Sequence, residues 1–244
     1  MRHEDNSVGL VLSRREIVKI LGATGTVWFL GGNVAPRRAL ADVAGPSCIV
    51  RPEQTEGPYF VDERLHRSDI RTDPADGRAT AGTLLALTFQ IMRLSAGHCR
   101  PLPGAHVDIW HCDATGVYSD VRDPWFNTIG RKFLRGHQIT DARGEVRFLT
   151  IYPGWYPGRT VHIHFKVRTN PSASRSFDFT SQLYFDDDIT DRVYMAMPYS
   201  ARGPRIARNR QDRIFGYGGD QLLLHPTVTP DGYAATFSIG LQLP

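Results

Sequence analysis

From residue 84 onward, apolar residues recur in short runs, several alternating with polar ones, and Gly, Pro or Asp separates the runs. Period-two alternation marks a strand with one buried face. Residues 84–92 (LLALTFQIM), 106–110 (HVDIW), 145–150 (EVRFLT), 161–167 (VHIHFKV), 181–185 (SQLYF) and 233–241 read as strands in this way. Turn signals precede two of them, Asp141-Ala142-Arg143-Gly144 and Pro230-Asp231-Gly232. No stretch of useful length carries helical periodicity. The pattern predicts an all-β fold, a β-sandwich of mostly antiparallel short strands. Its long loops, residues 119–138 and 186–219, are where a site on a rigid scaffold is expected.

The first 41 residues follow a different pattern. Ser13-Arg14-Arg15-Glu16-Ile17-Val18-Lys19 is a twin-arginine core, a weakly apolar run spans residues 20–32, and Ala39-Leu40-Ala41 is a small-x-small cleavage site. That order of basic, apolar and cleavable regions reads as an export signal, with a buried first helix as the alternative. The apolar run is short for a bilayer span. The expected organisation is therefore a twin-arginine signal over residues 1–41 and one domain over 42–244. The expected location is periplasmic or secreted, with no stable membrane insertion after the signal is removed.

Removing the signal changes the charge picture. The whole chain carries a formal +4, but residues 42–244 hold 23 basic and 22 acidic side chains. A net charge of +1 is no nucleic-acid footprint. Three cysteines, Cys48, Cys99 and Cys112, show no metal-binding spacing. In an oxidising compartment two of them could pair, and the sequence leaves open which two.

The densest chemistry lies in residues 151–165, IYPGWYPGRTVHIHF. In a strand, His162 and His164 share one face, while Ile163 and Phe165 turn into the core. Two imidazoles on one face can hold a metal ion, although His-x-His also suits core or surface histidines. The tyrosines sharpen the reading. Tyr156 lies six residues before His162, across the Pro157-Gly158 turn, and Tyr118 follows the strand ending at Trp110. A phenol ionises near 10, and a hard trivalent cation strongly favours its phenolate. Two histidines and two tyrosinates leave iron(III) at a net +1, suited to a dianionic catecholate.

These segments resemble the intradiol ring-cleavage dioxygenases, the family of protocatechuate 3,4-dioxygenase and catechol 1,2-dioxygenase. The resemblance runs from about Arg51 to Tyr184, through PEQTEGPYF (52–60), PGAHVDIWH (103–111) and the Tyr-Pro…Arg…His-x-His arrangement. It implies that Tyr118, Tyr156, His162 and His164 ligate iron(III), with Tyr156 the tyrosinate that leaves the metal and takes a substrate proton. It further implies that Arg159 stabilises charge at the bound ring and that Gln182 is a neighbouring pocket residue. Tyr59 and Trp155 are expected to line the pocket, and Tyr152 to pack the strand. His66, His98, His106, His137 and His225 match no ligand position. The implied partners are a catechol and dioxygen. The segment between Tyr156 and His162 is shorter than in protocatechuate 3,4-dioxygenase, and the long helical N-terminal region of catechol 1,2-dioxygenases has no counterpart here. Zinc or copper on the same histidines is the rival metal reading. A secreted β-sandwich that binds a carbohydrate or aromatic ligand without turnover is the rival from another class.

Overall fold

The computed structural model describes residues 48–169 and 177–243. The expected signal segment lies outside the described residues. In chain order the strands are β1 (Leu84–Ser95), β2 (His98–Pro101), β3 (Ala105–Trp110), β4 (Arg122–Asp123), β5 (Phe126–Asn127), β6 (Arg135–Ile139), β7 (Glu145–Ile151), β8 (His162–Thr169), β9 (Phe177–Phe185), β10 (Leu223–Leu224), β11 (Thr227–Thr229) and β12 (Gly232–Gln242).

Two five-stranded sheets form. In the first, β11, β12 and β1 lie side by side, and the far edge of β1 is shared between β7 and β2. Leu84–Gln90 of β1 pairs with β7, and Met92–Ser95 with β2. The second sheet runs β10-β9-β8-β3-β6. Most pairings are antiparallel, as expected. The exceptions are β1 with β12, parallel over eleven registered pairs, and the short β9–β10 pair.

The sheets pack face to face through alternate residues of each strand. Phe89 of β1 lies 5.4 Å from Phe165 of β8 by ring centroid, and Phe237 of β12 lies 5.5 Å from Phe165. Ile163, Phe165 and Val167 enter this core from β8, as do Val107 and Ile109 from β3. Period two then forces His162 and His164 onto the opposite face of β8. There Trp110 stands opposite His164 across the β3 pair, and Gln182 and Tyr184 stand opposite His164 and His162 across the β9 pair.

One helix departs from the sequence expectation. α1 (Asp187–Tyr194) opens the 186–219 segment, capped by Asp186, whose side chain accepts from the Asp188 and Ile189 amides. Short 3₁₀ turns follow at Tyr199–Arg202, Asn209–Gln211 and Gly219–Leu222. Cys48 and Cys99 form a disulfide with Cα atoms 5.5 Å apart, tying the chain before the sandwich to β2, and Cys112 is a buried thiol.

Candidate metal centre

Two loops bring the tyrosines over the outer face of β8. The first follows β3. Asp113 turns it: its Oδ1 accepts from the Thr115 and Val117 amides at 2.8 and 3.0 Å, and its own amide donates to Val117 O at 2.8 Å. Tyr118 comes next, buried to 1% exposure. Its backbone is held by Thr128 Oγ1, which donates to Tyr118 O at 2.7 Å. Arg135 of β6 holds the next residue, donating to Ser119 O and Oγ, and also reaches Tyr59 O at 2.6 Å. Burial lowers the Arg135 pKa to about 10, so the side chain stays cationic at neutral pH beside Tyr118.

The second loop is Tyr152–Thr160. Gly154 packs against the first loop so closely that a Cβ would lie 2.3 Å from Asp113 O, and its amide donates to that same oxygen at 3.1 Å. Only a residue without a side chain permits that approach. The contact carries Tyr156 to Tyr118, with ring centroids 5.6 Å apart and edge-on.

The structure therefore brings Tyr118, Tyr156, His162 and His164 together. Tyr156 OH lies 3.2 Å from His162 Nε2, and His162 Nε2 lies 3.1 Å from His164 Nε2. His162 Nδ1 donates to Thr160 O at 2.6 Å, which assigns the tautomer and leaves Nε2 with its lone pair facing the other donors. His164 stacks on Trp110, with centroids 5.0 Å apart and planes within 4°. Burial, then Arg159 and His162 respectively, hold His162 and His164 well below the usual imidazole range. Burial raises Tyr118 well above the usual phenol range and pushes Tyr156 up to about 12. The pocket thus contains two neutral imidazoles, with the His162 Nε2 lone pair turned toward the other donors, and phenols that need a strong Lewis acid to ionise.

This donor set fits a metal ion. Two donors about 2.1 Å from one ion and roughly 90–110° apart stand about 3.0–3.4 Å from each other, the spacing of the imidazole pair. Tyr118 OH is buried without a hydrogen-bond partner among the described residues, a cost that a bound cation removes. No group of three or more His, Cys, Asp or Glu side chains converges to hold a metal among the described residues, so the tyrosines are needed to complete a set of more than two.

Arg159 stands beside the donors. Its Nε donates to Asp212 Oδ2 at 2.8 Å and its Nη2 to Gln182 Oε1 at 2.5 Å. Gln182 Nε2 donates to Thr55 O at 2.9 Å, and Tyr184 OH bridges Gln54 and Gln182. The segment before the sandwich thus closes over this side of the site. Tyr59 stacks on Tyr118 at 4.5 Å, with its OH donating to Asp123 Oδ2 at 2.7 Å.

Trp155 differs from expectation. It packs in the main core, its Nε1 donates to Gly203 O at 3.4 Å, and Arg202 covers its ring. Tyr152 packs on Phe185 as a core residue. His66, His106 and His137 form a separate stacked column, with centroids 5.2 and 5.6 Å apart. Sequence reasoning missed Asp212, Asn209 and Arg135, three buried polar residues around the loops.

The fold and the donors define a class: a two-sheet sandwich with a His-x-His strand beneath tyrosine-bearing loops. A family model described as Dioxygenase matches residues 55–213, well over half of the chain. The chain belongs to the intradiol ring-cleavage dioxygenase family. An intradiol ring-cleavage dioxygenase from Tetranychus urticae superposes with a TM-score of 0.69 at 30% identity, covering 80% of this chain and 95% of that one. The protocatechuate 3,4-dioxygenase beta chain of Burkholderia cepacia is 31% identical over 147 residues, 54% of this chain and 61% of its own length. A chlorocatechol 1,2-dioxygenase of Pseudomonas putida is 31% identical over 177 residues, 65% of this chain and 60% of its own. The chain thus spans about three fifths of the length of these two curated relatives.

Proposed function

We propose that the protein is an iron(III)-dependent intradiol dioxygenase. It takes a catechol and one dioxygen and opens the ring between the two hydroxyl-bearing carbons, giving a muconate-type dicarboxylate. The observation that carries this reading is the meeting of two buried tyrosines with two imidazoles whose Nε2 atoms lie 3.1 Å apart. Phenolate oxygen suits a hard trivalent ion better than it suits zinc, and two tyrosinates leave a residual charge that attracts a catecholate.

Tyr118, Tyr156, His162 and His164 would hold the iron. Bound iron(III) supplies Lewis acidity that activates an oxygen-bearing ring carbon toward dioxygen. The remaining work falls to the protein. Tyr156, whose oxygen lies 3.2 Å from His162 Nε2, would be held by the metal as the phenolate, and on leaving it that oxygen has a lone pair free for a proton. It is the residue assigned to accept a proton from a substrate hydroxyl. Thr160 O keeps His162 in one tautomer, and the Trp110 stack keeps the His164 ring in plane. Arg159, its side chain largely buried and fixed by Asp212 and Gln182, places a preorganised positive charge beside the ring.

The location is part of the same proposal. A twin-arginine route exports folded proteins, which permits iron loading before export. The Cys48–Cys99 disulfide supports an oxidising destination.

The test is the visible spectrum of the iron-loaded protein. A tyrosinate-to-iron(III) charge-transfer band should make it red, whereas a zinc protein would be colourless. Tyr118→Phe and Tyr156→Phe should each shift or weaken the band, and His162→Ala should lose iron. An unchanged band in both tyrosine variants would exclude them as ligands.

A further inference from the structure

We propose that Asp212 is a positioning residue that fixes both the charge-stabilising Arg159 and the ligand His162 from a loop some fifty residues away. The inference rests on the catechol-cleaving reading of the site and assigns a role to a residue outside its motif.

Asp212 follows the 3₁₀ turn Asn209–Gln211 and is 2% exposed. Its two oxygens divide their work. Oδ1 accepts from the Ile214 and Phe215 amides at 2.7 and 3.2 Å, which shapes its own turn. Oδ2 faces the site, accepting from Arg159 Nε at 2.8 Å and from the Thr160 amide at 2.8 Å. Arg159 is thereby held at two nitrogens, with Gln182 Oε1 on Nη2, and the plane of its guanidinium is set. A guanidinium held at two points keeps its charge in one place while the substrate charge changes.

The second line of action runs through Thr160. Its amide is bound to Asp212, its Oγ1 donates to Asn209 Oδ1 at 2.7 Å, and its carbonyl accepts from His162 Nδ1 at 2.6 Å. Asn209 in turn donates to Phe185 O at 2.8 Å, anchoring the turn to β9. Asp212 and Asn209 therefore hold the peptide whose carbonyl selects the His162 tautomer. Thr160 O stands one hydrogen bond behind the ligand, where partners commonly matter roughly 10–100-fold in metal affinity or activity, and Asp212 and Asn209 act one bond further back.

Asp212→Asn is nearly isosteric. Its amide oxygen can still serve the Ile214 and Phe215 amides, but an NH₂ group would then confront the N–H groups of Arg159 and Thr160. The experiment is a double-mutant cycle of Asp212→Asn with Arg159→Ala on the iron-loaded full chain. It reads oxygen uptake with catechol, the charge-transfer band, and anaerobic binding of 4-nitrocatechol. Circular dichroism and thermal unfolding check the fold. Asp212→Asn is expected to keep the band and lower kcat roughly 10–100-fold. In the Arg159→Ala background it should cost clearly less than in the wild type, because one of the two groups it holds is gone and only the Thr160–His162 path remains.

Multiplicative effects in the cycle would reduce Asp212 to a structural residue and overturn the proposal, as would wild-type kcat in Asp212→Asn. If Asp212→Asn fails to fold, Asp212→Glu, which keeps the charge but displaces it, takes its place in the cycle with the same expectation of non-additivity. If the wild type takes up no oxygen, the catechol-cleaving reading fails, and coupling in 4-nitrocatechol binding alone decides the role of Asp212.

Discussion

Gly57 offers a graded perturbation of the site from outside the motif. It has a left-handed backbone at φ +73°, and a Cβ there would stand 3.2 Å from His164 Cε1 and 3.6 Å from Nε2. Alanine at such a φ costs about 1–2 kcal/mol in backbone strain alone. The added methyl also asks the His164 ring to yield by a few tenths of an ångström. That ring is stacked on Trp110, so relief comes by sliding within the stack, which moves Nε2 relative to His162 Nε2. Gly57→Ala should therefore destabilise the protein by about 2 kcal/mol, a fall in Tm of roughly 4–8 °C for a domain of this size. It should also weaken iron binding about 10–100-fold. Calorimetry of metal-free and iron-loaded protein separates the two effects, since the gain in Tm on loading iron should shrink in the variant. Iron retention equal to wild type against a competing chelator, with the backbone penalty present, would refute the claim that Gly57 is there to make room for His164.

Two other predictions concern stability. His111 is fully buried, with Nδ1 donating to Cys112 O at 2.8 Å and Nε2 accepting from Thr150 Oγ1 at 2.7 Å, and burial lowers its pKa to about 4. The unfolded chain protonates this group near 6.5 and the folded chain does not, so its stabilisation is complete above pH 6.5 and is lost as pH falls toward 4. Between pH 7 and 4.5 the loss should be roughly 2–3 kcal/mol. Denaturant unfolding of His111→Gln in the same metal state should lose less over that interval; an equal loss would contradict the assignment. The Cys48–Cys99 bridge spans 51 residues of sequence, and loop entropy predicts that Cys48→Ser with Cys99→Ser costs roughly 4 kcal/mol. The same pair should be oxidised in exported protein and reduced when Arg14-Arg15→Lys-Lys retains it inside; export unaffected by that change would point away from the twin-arginine route.

Much of the site was legible because β8 obeys a strict period. Once Ile163 and Phe165 belong to the core, His162 and His164 have only one face left, and strand pairing sets Gln182 and Trp110 beside them. The Tyr118 and Tyr156 loops carry no period, and there the family motif supplied what the pattern could not. Trp155 shows the cost: it lies two residues after Pro153 and two before Pro157, where neighbouring side chains do not alternate, and it turned into the core. The parallel β1–β12 pair joins segments more than a hundred residues apart, and no turn signal can announce it. α1 had its signals in Asp186, Asp187, Asp188 and Arg192, but eight residues are too few for periodicity to stand out. Asp212 was illegible for a different reason. A loop aspartate looks like any turn residue until the fold lays it against Arg159 and Thr160.

The central claim is intradiol cleavage at a ferric site, and the product of catechol turnover tests it most directly. Iron-loaded protein, without reductant, should consume one dioxygen per catechol and yield cis,cis-muconate, which is colourless in the visible and absorbs in the ultraviolet. Both new oxygen atoms should come from dioxygen when hydrolysis occurs within the site. A yellow semialdehyde, or a strict requirement for added ferrous iron, would contradict the account even with the fold as described.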